Sequence, residues 1–185
     1  MRIFSAFITI FLFAFSIQNS QAQIQIGAHG AYAISTPKVE GDKNTWGGGL
    51  QARYFITPQF AAGVGVNLLS QKVDFAGVDV KTSILPITAM AEYFFTEEGI
   101  RPYAGVKTGI YVQSVSALGS KESESVFGVA PKIGLQVPIV DNLALFAEGE
   151  YNFMFNKKEY VDQGADKTER YIQLNLGVVY TLNFK

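Results

Sequence analysis

Apolar and polar residues alternate strictly through the last stretch of the chain. Between Tyr171 and Phe184, one parity carries only large apolar residues, whereas the other carries mostly polar or small ones. Such period-2 alternation predicts a β-strand, and it is longer than the roughly five or six residues of an ordinary globular strand. A tilted strand needs about 9 to 11 residues to cross a bilayer. The stretch therefore predicts a transmembrane strand with lipid on its apolar face.

The same alternation recurs seven times upstream. These further candidate strands cover residues 23–35, 45–56, 60–69, 83–95, 101–112, 126–137 and 143–155. The connections alternate between long polar loops (36–44, 70–82, 113–125, 156–168) and short turns (57–59, 96–100, 140–142). An even number of strands, with short turns on one side and long loops on the other, is typical of bacterial outer-membrane barrels. The pattern predicts an all-β fold, an eight-stranded antiparallel up-and-down transmembrane β-barrel.

The first 22 residues have a different pattern. Met1-Arg2 is followed by an apolar run to Ile17 and by a small-x-small exit that ends at Ala22. This order predicts a secretory signal peptide over residues 1–22, cleaved to leave residues 23–185 as one barrel domain. The apolar run is shorter than the roughly 20 residues of a spanning helix. The chain has no Cys, which excludes lipid attachment at this junction and disulfide bonds in the barrel.

Outward-facing aromatic residues fall near both ends of the predicted strands. The loop-side group is Tyr32, Trp46, Phe127, Tyr151, Phe153 and Phe155, and the turn-side group is Tyr54, Phe60, Tyr93, Tyr180 and Phe184. Amphipathic rings at two headgroup layers would produce two such girdles. The alternative is the ordinary core aromatics of a soluble sandwich.

Two prolines test the strand assignment. Pro86 and Pro131 lie inside the fourth and sixth predicted strands. Proline donates no hydrogen bond to a ladder, and a closed barrel has no edge strand to hold it. We therefore expect a bulge, or the end of strand pairing, at each proline.

Several segments carry a resemblance to a known family. They are Leu85-Pro86-Ile87, Tyr93-Phe94-Phe95, Arg101-Pro102-Tyr103-Ala104-Gly105 and the terminal run from Tyr180 to Phe184. With the signal peptide and the eight strands, they resemble the small outer-membrane β-barrel family of Bacteroidetes. That family is similar in architecture to the membrane domain of outer-membrane protein A and to outer-membrane protein X. The resemblance implies a bacterial outer-membrane location, contact with outer-membrane lipid, and insertion by the barrel-assembly machinery.

Parity places six charged residues inside the barrel. Three are cations and three are carboxylates: Arg53, Lys107, Lys132, Glu92, Glu148 and Glu150. An eight-stranded barrel is only wide enough for its interior side chains, and an unpaired buried charge costs several kcal/mol. We therefore expect these residues to form a polar network of salt bridges that plugs the lumen. The alternative is a narrow pore that opens when pairs exchange, and the many inward glycines favour it if they leave water-filled space.

Enzyme chemistry and cofactor binding are not indicated. His29 is the only histidine, and no neighbouring nucleophile can be named from the sequence. With no Cys and one His, the chain lacks metal-ligand motifs, and its loop aspartates lack the spacing of a calcium loop. A net charge of −1 gives no basic face for nucleic acid. We expect a non-enzymatic protein without cofactors.

Function must then come from the lumen or the loops. Charges in the predicted loops are balanced, as in Lys72, Asp74, Asp79 and Lys81, and they identify no extracellular ligand. The sequence favours a monomeric outer-membrane barrel with a structural or loop-mediated surface-binding role. The rivals are a narrow pore or small-molecule conduit, and a soluble periplasmic ligand-binding barrel. The second rival is disfavoured because its lumen, rather than its outer wall, should be apolar.

Overall fold

The protein is a closed barrel of eight antiparallel strands. The computed structural model describes residues 23–36, 45–75, 78–117, 120–156 and 167–183. The strands are β1 (Gln23–Ser35), β2 (Thr45–Phe55), β3 (Phe60–Phe75), β4 (Val78–Phe94), β5 (Arg101–Ala117), β6 (Ser120–Val140), β7 (Leu143–Phe155) and β8 (Thr168–Asn183). Each strand pairs with its neighbours in sequence, and β1 pairs with β8 to close the barrel. The predicted fold is confirmed, whereas the predicted signal peptide lies outside the described residues.

Alternation along each strand separates the lumen from the outer wall. On β8, Gln173 and Asn175 are buried, whereas the alternate residues Leu174 and Leu176 are exposed. Exposed apolar side chains cover the outer wall. Of the predicted outward aromatics, Trp46, Phe127, Phe155, Tyr54, Phe60, Tyr93 and Tyr180 are exposed, Tyr32, Tyr151 and Phe153 are half-buried, and Phe184 lies outside the described residues. The part of the chain that the structure describes contains no helix long and apolar enough to cross a membrane. The wall has the surface expected of a barrel surrounded by lipid.

Two hairpins extend well past the predicted strand ends. β3 and β4 pair as far as Phe75 and Val78, and β5 and β6 pair as far as Ala117 and Ser120. The predicted long loops at 70–82 and 113–125 are therefore wrong over most of their length. These segments are rich in polar residues, and Lys72 to Phe75 and Val78 to Lys81 alternate polar and apolar positions as a strand does. The polar composition of these segments was mistaken for loop sequence.

The expectation of a bulge or an end of pairing at Pro86 and Pro131 is met on one flank of each proline and wrong on the other. Both residues are paired on one side, Pro86 opposite Tyr111 and Pro131 opposite Val106. On the other side, toward β3 and β7 respectively, the ladder is interrupted and then resumes in the same register. Each proline therefore costs local pairing on one flank without shifting a strand. The register shift that β6 does show lies at Pro138–Val140, beside the turn into β7.

Three groups of buried apolar residues divide the lumen into layers. The loop-side group is Ala31, Ala33, Leu69, Tyr111, Val126, Met154 and Tyr171. The turn-side groups are Phe55, Ala61, Phe94 and Tyr103, and Ala144, Phe146 and Val179. The charged residues lie between these apolar layers, because they occupy the middle inward positions of their strands. We call this middle section the charged layer.

Candidate functional site

The charged layer contains all six residues that parity placed inside the barrel. They lie on five strands: Arg53 on β2, Glu92 on β4, Lys107 on β5, Lys132 on β6, and Glu148 and Glu150 on β7. Each is exposed by 5% or less. Since the sequence balances the three cations with three carboxylates, no net charge is buried in this layer.

Four of these residues form one cluster. Arg53 Nε lies 2.7 Å from Glu92 Oε2, and Lys132 Nζ lies 2.5 Å from the other Glu92 oxygen. Lys132 Nζ also lies 2.7 Å from Glu148 Oε2, which Arg53 approaches at 3.8 Å. Each cation thus contacts two carboxylates, and each carboxylate contacts two cations. Such shared pairing offsets the desolvation of buried charges better than an isolated pair does.

The remaining two residues form a second, adjacent pair. Lys107 Nζ contacts Glu150 Oε2. Asn175 joins this pair to the first cluster, since its amide nitrogen donates to Glu148 at 3.1 Å and to Glu150 at 3.0 Å. Asn152 donates to Glu150 more weakly, at 3.4 Å. The charged layer is therefore one continuous network that runs from β2 to β8.

Aromatic side chains complete the first cluster. The Tyr103 hydroxyl donates to Glu148 at 2.9 Å and accepts from Arg53 at 3.3 Å. The Arg53 guanidinium carbon lies 5.1 Å from the Tyr103 ring centre and 5.5 Å from that of Phe146. These rings hold the guanidinium plane in place, and cation–π contacts of desolvated cations contribute about 2 kcal/mol.

Sequence analysis did not identify Tyr103, Asn152 and Asn175 as parts of the site. All three lie at inward positions of their strands, so the alternation of the sequence already indicates that they face the lumen. Alternation along a strand shows which side chains face the lumen. It does not show which neutral polar side chain reaches which charged residue across the barrel.

The inward glycines make room for long side chains from neighbouring strands. A Cβ on Gly134 would collide with the Tyr103 ring, and one on Gly128 would lie 2.5 Å from Tyr111 Cε2. A Cβ on Gly65 would lie 3.0 Å from Met90 Cε. A cavity of only about 10 Å³ is left beside Lys107, and one water molecule fills such a volume. The glycines therefore allow close packing in the charged layer.

His29 lies at the edge of this small cavity. Its Nε2 is 2.6 Å from Asn67 Oδ1, so that nitrogen carries the proton and donates to the amide oxygen. The ring packs edge-on against Phe146, with 5.8 Å between ring centres. Within the described ranges, no group of three or more His, Cys, Asp or Glu residues is arranged to hold a metal ion. His29 is thus a packed and hydrogen-bonded lumen residue.

Solved structures with similar architecture come from several bacteria. Neisserial surface protein A is 22% identical, with a TM-score of 0.65 over 87% of this chain and 97% of that chain. Ail, the attachment invasion locus protein of Yersinia pestis, was crystallised with the heparin analogue sucrose octasulfate. It is 20% identical, with a TM-score of 0.59 over 88% of this chain and 100% of that chain. OprG from Pseudomonas aeruginosa is 14% identical, with a TM-score of 0.52 over 89% and 97% of the two chains.

At these identities the likeness establishes the fold alone. No curated protein sequence matches the chain. A family described as the outer membrane protein beta-barrel domain matches it over residues 7–184. The closed barrel, its apolar outer wall and this match agree, and together they exclude a soluble periplasmic barrel. The chain therefore belongs to the outer membrane protein beta-barrel domain family and is a protein of the bacterial outer membrane.

Proposed function

We propose that this protein is a closed, non-conducting barrel whose role is structural or lies in binding at the cell surface. The observation that carries the proposal is the charged layer, in which buried cations and carboxylates share partners from β2 to β7. Apolar layers lie on both sides of it. An ion that crossed the lumen would have to displace several of these contacts and then pass an apolar layer.

A sheet that projects beyond the barrel supports the surface-binding part of the proposal. In the described residues, pairing of β2 with β3 reaches Ser70 and pairing of β6 with β7 begins at Phe127. β3 to β6 nevertheless continue together past these points, with β4 and β5 paired as far as Lys81 and Ser116. The extra five to seven residues correspond to about 20 Å of strand. We call this part, the described residues 71–75, 78–82, 113–117 and 120–125, the projecting sheet.

A narrow pore is the second candidate function. The observation in its favour is that Lys132 contacts both Glu92 and Glu148, so it could release one carboxylate while it keeps the other. Exchange of partners would then open a path without leaving an isolated charge.

Single-channel conductance separates the two candidates. The folded protein would be inserted into a planar bilayer beside Glu148→Gln and Glu150→Gln variants. We expect a silent wild type, because the charged layer stays paired, and brief steps from Glu148→Gln, because Lys132 and Arg53 then lose a shared carboxylate. Regular, long-lived steps from the wild type, changed in size or selectivity by either variant, would refute the closed barrel and establish the pore.

Trimming the projecting sheet tests the surface role. Ser114 and Ser123 are directly paired, with their hydroxyl oxygens 2.8 Å apart, so a two-residue turn can replace residues 115–122 without changing register. Gln71 and Thr82 offer the same opportunity for residues 72–81. Vesicles that carry each form would be tested on immobilised heparin and on immobilised extracellular-matrix proteins. We expect wild-type binding to at least one surface, loss of binding after trimming, and no change in Glu148→Gln; wild-type binding that survives both trims would contradict the surface role.

A further inference from the structure

The turn side of the barrel contains a cavity that the charged layer does not use. Its volume is about 170 Å³, and its lining includes Gln25, Arg101, Gln136 and Thr181. Phe55, Phe94 and Phe146 lie between it and the charged layer. The cavity is therefore closed off from the charged layer and does not continue into a channel through the lumen. We call it the turn-side cup.

Polar side chains lie on two opposite walls of the cup. Arg101 and Gln136 are direct partners on β5 and β6, and Gln25 and Thr181 are direct partners on β1 and β8. In a closed barrel of eight strands, β1 and β5 are four strands apart and lie opposite one another. A ligand in the cup would thus meet hydrogen-bonding groups from both sides.

The two glutamines have unused acceptors. Gln25 is 2% exposed and Gln136 is 5% exposed, yet neither side-chain carbonyl oxygen has a hydrogen-bond partner in the described part of the chain. The Gln25 amide nitrogen donates to the Thr181 hydroxyl at 3.2 Å, which leaves its oxygen for another donor. Buried polar groups in proteins nearly always have a hydrogen-bond partner, so these two atoms indicate a ligand that supplies N–H donors.

Arg101 offers hydrogen-bond donors, whereas the two glutamines offer acceptors. Its guanidinium is held by donation to the carbonyl oxygens of Thr96 and Pro58, at 3.2 Å and 2.5 Å. It also lies over the rings of Phe55 and Phe94, 4.9 Å and 4.3 Å from their centres. No described carboxylate forms a salt bridge with it. The Glu97 carboxylate acts on Arg101 electrostatically without forming a salt bridge. An oriented guanidinium that no described carboxylate contacts directly is suited to a carboxylate ligand.

We propose that the turn-side cup binds a free amino acid. The ammonium group donates to the carbonyl oxygens of Gln25 and Gln136, and the carboxylate accepts from Arg101, which lies directly beside Gln136. The cup is below the roughly 300–1,000 Å³ of sites for drug-sized ligands, which matches one small zwitterion. This site is independent of the surface role and of whether the lumen conducts.

Calorimetric titration of the folded protein in detergent tests the proposal with alanine as the probe. Alaninamide lacks the carboxylate, and N-acetylalanine lacks the ammonium group. Gln136→Leu removes one acceptor. Gln51→Leu is the matched control, because Gln51 is also a buried lumen glutamine with an unpartnered amide atom but does not line the cup.

We expect alanine to bind the wild type and Gln51→Leu equally, and Gln136→Leu about tenfold or more weakly, since a hydrogen bond to a charged group is lost. Both blocked analogues should bind at least tenfold more weakly than alanine. If Gln136→Leu fails to fold, Gln25→Leu is the second test variant, and we expect the same loss of alanine affinity. The proposal is overturned by absence of alanine binding, by N-acetylalanine or alaninamide binding as tightly as alanine, or by equal losses in Gln136→Leu and Gln51→Leu.

Discussion

The charged layer and the turn-side cup are both buried and polar, yet they differ in how their groups are satisfied. In the charged layer, Glu148 alone contacts two cations, a hydroxyl and an amide. In the cup, Gln25 and Gln136 each keep an unpartnered carbonyl oxygen. A buried charge without partners is far more costly than a buried amide without one. The charges of the layer are therefore paired within the chain, and Arg53 Nη1 is a buried donor there without a hydrogen-bond partner among the described residues. The cup leaves two neutral acceptors for a ligand.

Among the substitutions that test this comparison, Glu148→Leu should cause the largest loss of unfolding free energy. The substitution leaves Lys132 and Arg53 with one fewer carboxylate in a dry interior, and removal of one partner from a buried ion pair costs about 3–5 kcal/mol. Urea unfolding in phospholipid vesicles measures the loss of unfolding free energy. The double variant Glu148→Leu with Lys132→Met restores charge balance and should recover more than half of that loss. A double variant no more stable than Glu148→Leu would show that charge balance does not govern this layer.

Gly134→Ala should have the next largest effect. Its added Cβ would lie 2.5 Å from the Tyr103 hydroxyl oxygen, so the ring must move away from Glu148 and Arg53. Overpacking of this kind costs about 1–3 kcal/mol of unfolding free energy. Gly149→Ala is the control, because its nearest neighbour would be Leu174 Cδ2 at 3.8 Å, and we expect a change within about 0.5 kcal/mol. Equal effects of the two substitutions would remove the packing argument.

Gln136→Leu should have the smallest effect on the ligand-free barrel. It replaces an amide whose buried carbonyl oxygen has no described partner with an apolar group of similar size, so we expect unfolding free energy to rise or to change by less than about 1 kcal/mol. The same urea series measures it. A loss as large as that of Gly134→Ala would mean that the Gln136 amide already has a partner, which would contradict the comparison between layer and cup.

Alternation predicted the barrel because lipid and lumen impose opposite demands on the two faces of each strand. It gave the bounds of β1 and β7 and placed Arg53, Glu92 and Lys132 at inward positions, where the structure has them in contact. The projecting sheet was not predicted, because its polar composition was given more weight than the alternation that residues 72–75 and 78–81 carry. Nor could alternation show that Pro86 and Pro131 lose pairing on one flank only, because that depends on which neighbour faces the missing donor.

The paired segments of β1 and β8 that close the barrel carry no Asp, Glu, Lys or Arg. Residues 23–35 of β1 and residues 171–183 of β8 contain none, so the ion pairs are complete within β2 to β7. During assembly, neutralisation of the lumen charges can therefore precede closure. The β1–β8 seam then forms by backbone hydrogen bonds between these uncharged segments, and it can open and reform without separating the ion pairs of the charged layer.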